Sequence, residues 1–210
     1  NTTFTVLDVT GNQGGAIPNP GSWRRARFTT TNGGGYWTNT SDMQTAVNDH
    51  WSTANSIFTA QSNVDVEVKW AIWYDQNTGL TTRSFCTRLR TNAGGVNSTL
   101  NQDCNSAAPY GSPGSCGGSQ TDFNANPKVF GNLALNGVSS GGGVLISLAP
   151  GEQIWLEDAQ NTTGGVNYHQ ATPGEINCSG GAPGQPNTCS DNGYVPPCLS
   201  AMEFKVKSSF

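Results

Sequence analysis

The segment that decides the fold is Val64–Tyr74, with the sequence VDVEVKWAIWY. From Val64 to Ile72 every second residue is apolar, and most of the residues between them are charged. A period of two is typical of a strand that buries one face in a core and exposes the other. The segment therefore predicts a half-buried β-strand.

A second strand is predicted directly after this one, over Leu80–Arg90, because the intervening residues DQNTG are turn formers. Pairing Val68 with Phe85 keeps the apolar faces of the two strands together. The same register sets Asp65 opposite Arg88 on the outer face, where the two side chains can form an ion pair. We therefore predict a β-hairpin here.

Further strands are predicted where apolar residues alternate with polar ones, or where apolar residues fall on both faces of the segment. They are Phe4–Val9, Arg25–Thr30, Val129–Asn136, Gly143–Leu148, Gln153–Asp158 and Ala201–Lys207. Between two of these strands, the residues LAPGE at 148–152 predict a tight turn, because Pro and Gly supply its backbone angles.

One segment breaks the β pattern, and two long segments have no pattern. SDMQ at 41–44 is a capping box followed by apolar residues at helical spacing, which predicts a helix near residues 42–55. Residues 92–127 and 160–197 lack periodicity and read as loops closed by disulfides. We therefore predict an all-β fold over residues 1–210, a single antiparallel two-sheet sandwich that is jelly-roll-like, with one short helix.

The composition excludes several classes of protein. Gly, Thr, Asn and Ser supply 91 of 210 residues, and only 11% are charged, against about 25% in an ordinary soluble domain. Helical bundles and coiled coils need more Lys and Glu than this chain has. The net charge of −4 and the 6 Trp, 8 Phe and 5 Tyr residues argue against disorder driven by charge.

The cysteines indicate an oxidising compartment. Six of them lie among Gly, Ser, Asn and Pro without the close spacing of a metal site, which favours disulfides. They are Cys86, Cys104, Cys116, Cys178, Cys189 and Cys198. Pairing nearest neighbours gives Cys104–Cys116 and Cys178–Cys189 and leaves Cys86 for Cys198, but the sequence does not choose among the connectivities.

The predicted location is extracellular or at the cell surface. The chain begins at Asn1 without Met or an apolar leader and reads as a processed, secreted chain. No apolar run approaches the roughly 20 residues of a membrane helix, so membrane insertion is not expected. N-glycosylation sequons start at Asn1, Asn39, Asn97, Asn161 and Asn177, a number that chance supplies in a chain this rich in Ser and Thr.

Four aromatic residues are candidate binding residues. Trp73 and Trp155 fall on the polar parity of their strands, and Tyr36 and Trp37 follow three glycines in a loop. A large apolar ring at such a position usually meets a partner, such as a sugar or another subunit, or lies under a covering loop. The sequence leaves these readings open.

Catalytic groups are scarce. The two histidines, His50 and His169, match no metal motif, and no cofactor or metal is expected. Glu67 and Glu157 lie mid-strand on polar faces and are the candidate carboxylate pair if the chain is a glycoside hydrolase. The basic cluster WRRAR at 23–27 suits an acidic glycan or a solvated edge better than nucleic acid, because the chain as a whole is acidic.

Residues 139–157, SSGGGVLISLAPGEQIWLE, resemble the penultimate hairpin of C1q/TNF-like jelly rolls, and Ala201–Lys207 is similar to the last strand of that family. The resemblance implies an antiparallel jelly roll that forms trimers and binds other molecules through its surface. It concerns packing, and no functional residue is carried over.

The chain is predicted to assemble or to bind a partner rather than to catalyse a reaction. The leading hypothesis is a non-catalytic extracellular adhesion or assembly module, a self-assembling surface or filament subunit that uses its strand-coded termini. Its partner is then a second copy of the chain. The alternatives are a lectin-like module that binds surface glycans and a secreted carbohydrate-active enzyme that uses Glu67 and Glu157.

Overall fold

The structure is a computed structural model that describes residues 2–8, 22–28, 41–76, 85–105, 125–130, 143–160, 166–168 and 200–208. The elements in chain order are β1 (Thr2–Asp8), β2 (Arg24–Arg25), α1 (Ser41–His50), β3 (Trp51–Ser52), β4 (Ile57–Thr59), β5 (Val64–Gln76), β6 (Phe85–Thr91), β7 (Ser98–Asn105), β8 (Ala125–Phe130), β9 (Val144–Leu148), β10 (Gln153–Gln160), β11 (Val166–Tyr168) and β12 (Ser200–Ser208).

The strands form two antiparallel sheets. The first sheet has the order β1-β12-β5-β11, and β8 and β9 also pair with the long strand β5. The second has the order β3-β4-β10-β6-β7, with β2 also on β10. The pairing is nested, as in a jelly roll: β1 pairs with β12, β4 with β10, β5 with β9 and β6 with β7. The predicted all-β sandwich with one short helix is confirmed.

The core lies between the two sheets and follows from the period of two. Val64, Val66, Val68 and Trp70 turn one side of β5 inward, and all are buried. The facing sheet contributes strands whose alternate residues are equally apolar, including Phe58, Leu89, Ile154 and Leu156. The Phe58 and Phe204 rings, 5.1 Å apart, join the sheets, so that each sheet covers the apolar face of the other.

The predicted hairpin between residues 64–74 and 80–90 is wrong. Strands β5 and β6 belong to different sheets, so Val68 lies opposite Phe204 rather than Phe85. The outer-face partners also change, because Arg88 lies opposite Glu157 and Asp65 opposite Lys207. A period of two shows which face of a strand is apolar but does not select its neighbour, and β12 offers β5 an equally good alternation.

The helix is shorter than predicted. It begins at Ser41, where the capping box placed its start, and ends at His50 rather than near residue 55. Trp51 leaves the helix because it forms strand β3 opposite Phe58 and packs against the Phe204 ring. Helix α1 contacts both β1 and β3, so it covers one side of the sandwich.

The six strands predicted outside the hairpin all overlap observed strands. Two of them differ clearly from the observed strands in their bounds. Of residues 25–28, the described part of the predicted strand 25–30, only Arg25 lies in a strand, although Ala26 and Phe28 are buried. The predicted strand 129–136 is found at Ala125–Phe130, and residues 131–136 lie outside the described residues.

The two segments predicted as loops carry strands where the structure describes them. Strand β7 and the start of β8 lie within residues 92–127, and β11 lies within residues 160–197. Residues 92–97 and 160 are also described, and they include a 3-10 turn at Ala93–Gly95. The rest of both segments is outside the described residues, so their closure by disulfides stays a prediction.

The predicted turn at residues 148–152 joins the two sheets. Strand β9 belongs to the first sheet and β10 to the second. Between them Gly151 has a φ of +87°, a left-handed conformation that glycine adopts without strain, and the Glu152 N–H donates to the Ala149 carbonyl at 3.1 Å. The tight turn is therefore confirmed, and it carries the chain from one layer to the other.

Candidate functional site

Among the described residues, interacting charged and aromatic side chains are most concentrated on the outward face of the second sheet. Buried Leu89 and Leu156 fix the inner side of β6 and β10, so their neighbours Arg88 and Glu157 point away from the core. The register of β2 adds Arg25 on the other side of Glu157. We call this surface the arginine–tryptophan face. It comprises Trp23, Arg25, Arg88, Arg90, Trp155 and Glu157.

Glu157 is the centre of this face. One carboxylate oxygen, Oε2, accepts a hydrogen bond from Arg88 Nε at 2.6 Å. The other, Oε1, accepts one from the Trp155 indole N–H at 2.9 Å. Arg90 Nε lies 3.8 Å from Oε2, close enough for attraction but too far for a hydrogen bond. Both oxygens of Glu157 therefore hold neighbouring side chains in place.

Each tryptophan of the face lies under an arginine. The Arg25 guanidinium carbon is 5.0 Å from the centroid of the Trp155 ring, and the Arg88 guanidinium carbon is 4.1 Å from that of Trp23. Both distances are within the range of cation–π attraction. Trp155 keeps only 6% of its surface exposed, so the ring is not available for a sugar to stack on.

The face is positive although the chain is acidic. Arg25, Arg88 and Arg90 oppose the single carboxylate of Glu157, which leaves two positive charges on a chain whose formal net charge is −4. Burial lowers the pKa of Arg25, the attraction of Glu157 opposes that effect, and Arg27 adds to it. Arginine still remains charged at neutral pH, because its ordinary pKa lies far above it.

A buried ion pair supports the face from the core side. Arg24 lies opposite Asp158 in the register of β2 and β10, and its Nε is 3.0 Å from Asp158 Oδ1. Asp158 has no exposed surface, whereas the Arg24 side chain keeps 19%. Alternation along β2 thus sends Arg24 inward to the ion pair and Arg25 outward to the face.

The two sides of the sandwich differ in how their sheet edges are covered. On one side β1 is buried on both faces, since Phe4 and Val6 are fully buried and Thr5 is 1% exposed, and α1 contacts it. On the other side β7 is the last strand of the second sheet, and no described strand pairs with its outer edge. Ser98, Thr99, Asn101 and Gln102 of β7 are all exposed.

The predicted binding residues are only partly described. Trp155 lies on the outer face of its strand, as its parity predicted, but Arg25 covers it. Trp73 lies in β5 opposite Pro127, and its side chain is outside the described residues, as are Tyr36 and Trp37 altogether. Their role in binding stays a prediction.

The candidate catalytic pair is not brought together. Glu67 lies on β5 of the first sheet and Glu157 on β10 of the second, each on the face turned away from the shared core. Glu67 accepts a hydrogen bond from the Gly143 N–H at 3.0 Å and lies 3.5 Å from Lys69 Nζ. The hydrogen bond, and to a lesser degree Lys69, hold its pKa below the ordinary value.

One disulfide is present at the rim of the second sheet. Cys86 on β6 is disulfide-bonded, as predicted. The β6–β7 register places Cys104 directly opposite it, rather than Cys198, which nearest-neighbour pairing assigned to it. Cys116, Cys178, Cys189 and Cys198 are outside the described residues, so their predicted disulfides stay predictions.

Sequence reasoning missed the residues that complete the face. Trp23 and Arg25 lie in the basic cluster WRRAR, but Arg88 was assigned to Asp65 and Arg90 was not singled out. The alternation of TRLR at 87–90 is a usable signal, because it puts two arginines on one face of a strand. Their meeting with Glu157 depends on strand pairing over 69 positions of sequence, which the alternation does not encode.

Comparisons with known proteins find a weak likeness of fold. The chain is similar to a solved structure of Eiger TNF from S. frugiperda, with 12% identity, coverage of 100% of this chain and 94% of that chain, and a TM-score of 0.39. Neither a family model nor a curated protein matches.

Within the described ranges the helix α1, ten residues long, is neither long nor apolar enough to cross a membrane.

Proposed function

We propose that the chain is a non-catalytic extracellular adhesion or assembly module, and that copies of it associate through the open edge of the second sheet at β7. The observation that carries this proposal is the asymmetry between the two sides of the sandwich. Helix α1 covers the side at β1 and β3, whereas β7 ends its sheet with exposed residues.

The sequence of β7 supports association through its edge. Natural proteins protect an open edge with lysine, proline, a bulge or a covering element, because unpaired backbone groups recruit further strands. Strand β7 reads STLNQDCN and contains neither lysine nor proline, although it has one acidic residue, Asp103, and one bulge at Leu100, where its register against β6 shifts. An antiparallel strand from a second copy can therefore continue the sheet.

An exposed apolar side chain lies next to the open edge. Among the described residues, the large hydrophobic side chains that are exposed are Val96, at 68%, and Leu145, at 64%. Val96 directly precedes β7, whereas Leu145 lies opposite Glu67 on the outer face of the first sheet. Covering Val96 in an assembly removes apolar surface from water and favours association.

The arrangement of carboxylates supports a non-catalytic role. Glu157 and Asp158 bind arginines, Glu67 accepts a hydrogen bond from the Gly143 N–H, and Glu152 accepts hydrogen bonds from the Ala149 and Gly94 N–H groups. A glycosidase needs two carboxylates that face one substrate. These carboxylates instead bind their own chain, and the disulfide at Cys86 agrees with an extracellular site of action.

The leading test is the effect of a charge on the open edge. Asn101→Lys places a positive charge on β7, where two copies would meet, and is expected to weaken self-association at least tenfold by light scattering across a range of concentrations. Asn63→Lys is the matched control, because Asn63 is exposed in the bend before β5 and away from the edge. A wild-type chain that stays monomeric at all concentrations, or equal weakening by both variants, would contradict the proposal.

The terminal strand β1 is the second candidate for the assembling edge. It is the last strand of the first sheet and pairs with β12 along all of Thr2–Asp8. Thr3→Lys distinguishes this edge from β7. If Thr3→Lys dissociates the assembly and Asn101→Lys does not, association occurs through β1.

A further inference from the structure

We propose that the arginine–tryptophan face binds an acidic polysaccharide through the sulfate or carboxylate groups of its sugars. This inference is independent of assembly through β7. It goes beyond the general sugar-stacking role expected of the tryptophans, because it assigns recognition to the arginines and gives the rings a supporting role.

The guanidinium groups are positioned to receive anions. Arg88 and Arg90 lie on one strand with one residue between them and keep 22% and 18% of their side chains exposed. Arg25 approaches from β2 on the opposite side of Glu157. An arginine has five N–H donors, and the single carboxylate of Glu157 cannot occupy those of three arginines. Donors directed at solvent therefore remain.

Arg25 contributes its terminal N–H groups to the face. Its contacts among the described residues are the Trp155 ring and the electrostatic attraction of Glu157, and its Nε is buried, so any anion would bind at the terminal nitrogens. The Trp155 ring, 5.0 Å from the guanidinium carbon, limits the positions that the Arg25 side chain can take. A planar guanidinium group matches the paired oxygens of a sulfate or a carboxylate.

The chemistry of the face favours a polysaccharide over other polyanions. Single-stranded nucleic acid needs exposed rings on which bases stack, and here Trp155 is buried under Arg25. A protein interface needs an apolar centre, and the described part of this face has only guanidinium, carboxylate and covered rings. A flat polar surface with spaced positive charges suits a linear chain of hydroxyl and acidic groups.

The test measures binding of the intact protein to a sulfated heparin oligosaccharide at physiological ionic strength. Neutral dextran, a single-stranded DNA oligonucleotide and polyglutamate serve as comparison ligands. We expect binding to heparin, no binding to dextran, and weaker binding to DNA and polyglutamate. Arg25→Gln is expected to weaken heparin binding about tenfold, the usual effect of losing one charge-assisted hydrogen bond.

Two further variants separate recognition from folding and from overall charge. Glu157→Gln raises the charge of the face and frees Arg88, so it is expected to tighten heparin binding even though it removes a structural hydrogen bond. Lys207→Gln removes the same charge as Arg25→Gln from the outer face of the other sheet, and its effect is expected to stay below twofold.

Several results would overturn the proposal. They are absence of heparin binding, equal weakening by Arg25→Gln and Lys207→Gln, and no gain in affinity from a folded Glu157→Gln variant. Binding to DNA or polyglutamate as tight as to heparin would show a general attraction for polyanions, or a nucleic-acid or protein partner, in place of a polysaccharide site.

Discussion

Arg24 and Asp158 form an ion pair on the core side of the second sheet, directly behind the arginine–tryptophan face. The distance from Arg24 Nε to Asp158 Oδ1 is 3.0 Å, and Asp158 is fully buried. A carboxylate in this position is stable only because its charge is compensated. The pair therefore joins β2, which is only two residues long, to the centre of the sheet.

Loss of the arginine should destabilise the fold strongly. Arg24→Met leaves Asp158 charged and buried, and we expect the free energy of unfolding in urea to fall by about 3 kcal/mol. The double variant Arg24→Met/Asp158→Leu should recover much of this loss, because no charge is then buried. A double variant that is less stable than Arg24→Met would contradict this account.

Acidity should affect the first sheet through Glu203. Burial raises the pKa of Glu203, only partly opposed by Lys69, so the folded state binds a proton more tightly than the unfolded chain does. The corresponding stability is present below its ordinary pKa and is lost as pH rises through the raised value. Glu203→Gln should therefore raise the Tm by a few degrees at pH 7 and leave it nearly unchanged at pH 4. An equal change at both pH values would show that ionisation of Glu203 is not the cause.

The aromatic contacts of Phe204, within the first sheet and between the two sheets, should carry a large share of the stability. The Phe204 ring lies 5.2 Å from that of Phe4, 5.1 Å from that of Phe58 and 5.5 Å from that of Trp51. Phe204→Ala is expected to lower the free energy of unfolding by about 3–5 kcal/mol. Leu145→Ala is the control, since its exposed side chain should contribute no more than about 0.5 kcal/mol. Similar losses in the two variants would contradict the assignment of Phe204 to the core.

The partner of Cys86 is predicted to be Cys104. Residues directly opposite each other in antiparallel strands have Cα atoms about 4.5–5.5 Å apart, and disulfides span about 4.4–6.8 Å. Peptide mapping without reduction should recover the two cysteines in one linked fragment. Cys86→Ser should lower the free energy of unfolding by about 3 kcal/mol, the value for a loop of similar length. A fragment that links Cys86 to another cysteine would refute this pairing.

Strands could be predicted wherever one face meets the core. The alternation in Val64–Tyr74 and Ala201–Lys207 placed β5 and β12, because burial on one face imposes a period of two. The same pattern could not select partners. Strand β5 pairs with β12, more than a hundred residues away, because the jelly roll puts β5 and the adjacent β6 in opposite sheets.

The candidate site was predictable in its parts and not as a whole. Parity placed Trp155 and Glu157 on one outward face, and the WRRAR cluster marked Arg25. That Arg25 covers Trp155 follows from the pairing of β2 with β10, which brings together residues far apart in the chain. Local patterns hold no information on such pairing, so the sequence left open whether the Trp155 ring is exposed or covered, and in the structure Arg25 covers it.

The most direct measurement of assembly through β7 is amide hydrogen exchange, compared between dilute and concentrated protein. If copies associate through the open edge, exchange in Ser98–Asn105 should slow at high concentration, while exchange in Thr2–Asp8 and in the other strands stays unchanged. Exchange in Ser98–Asn105 that is independent of concentration, or slowing confined to Thr2–Asp8, would contradict the central claim.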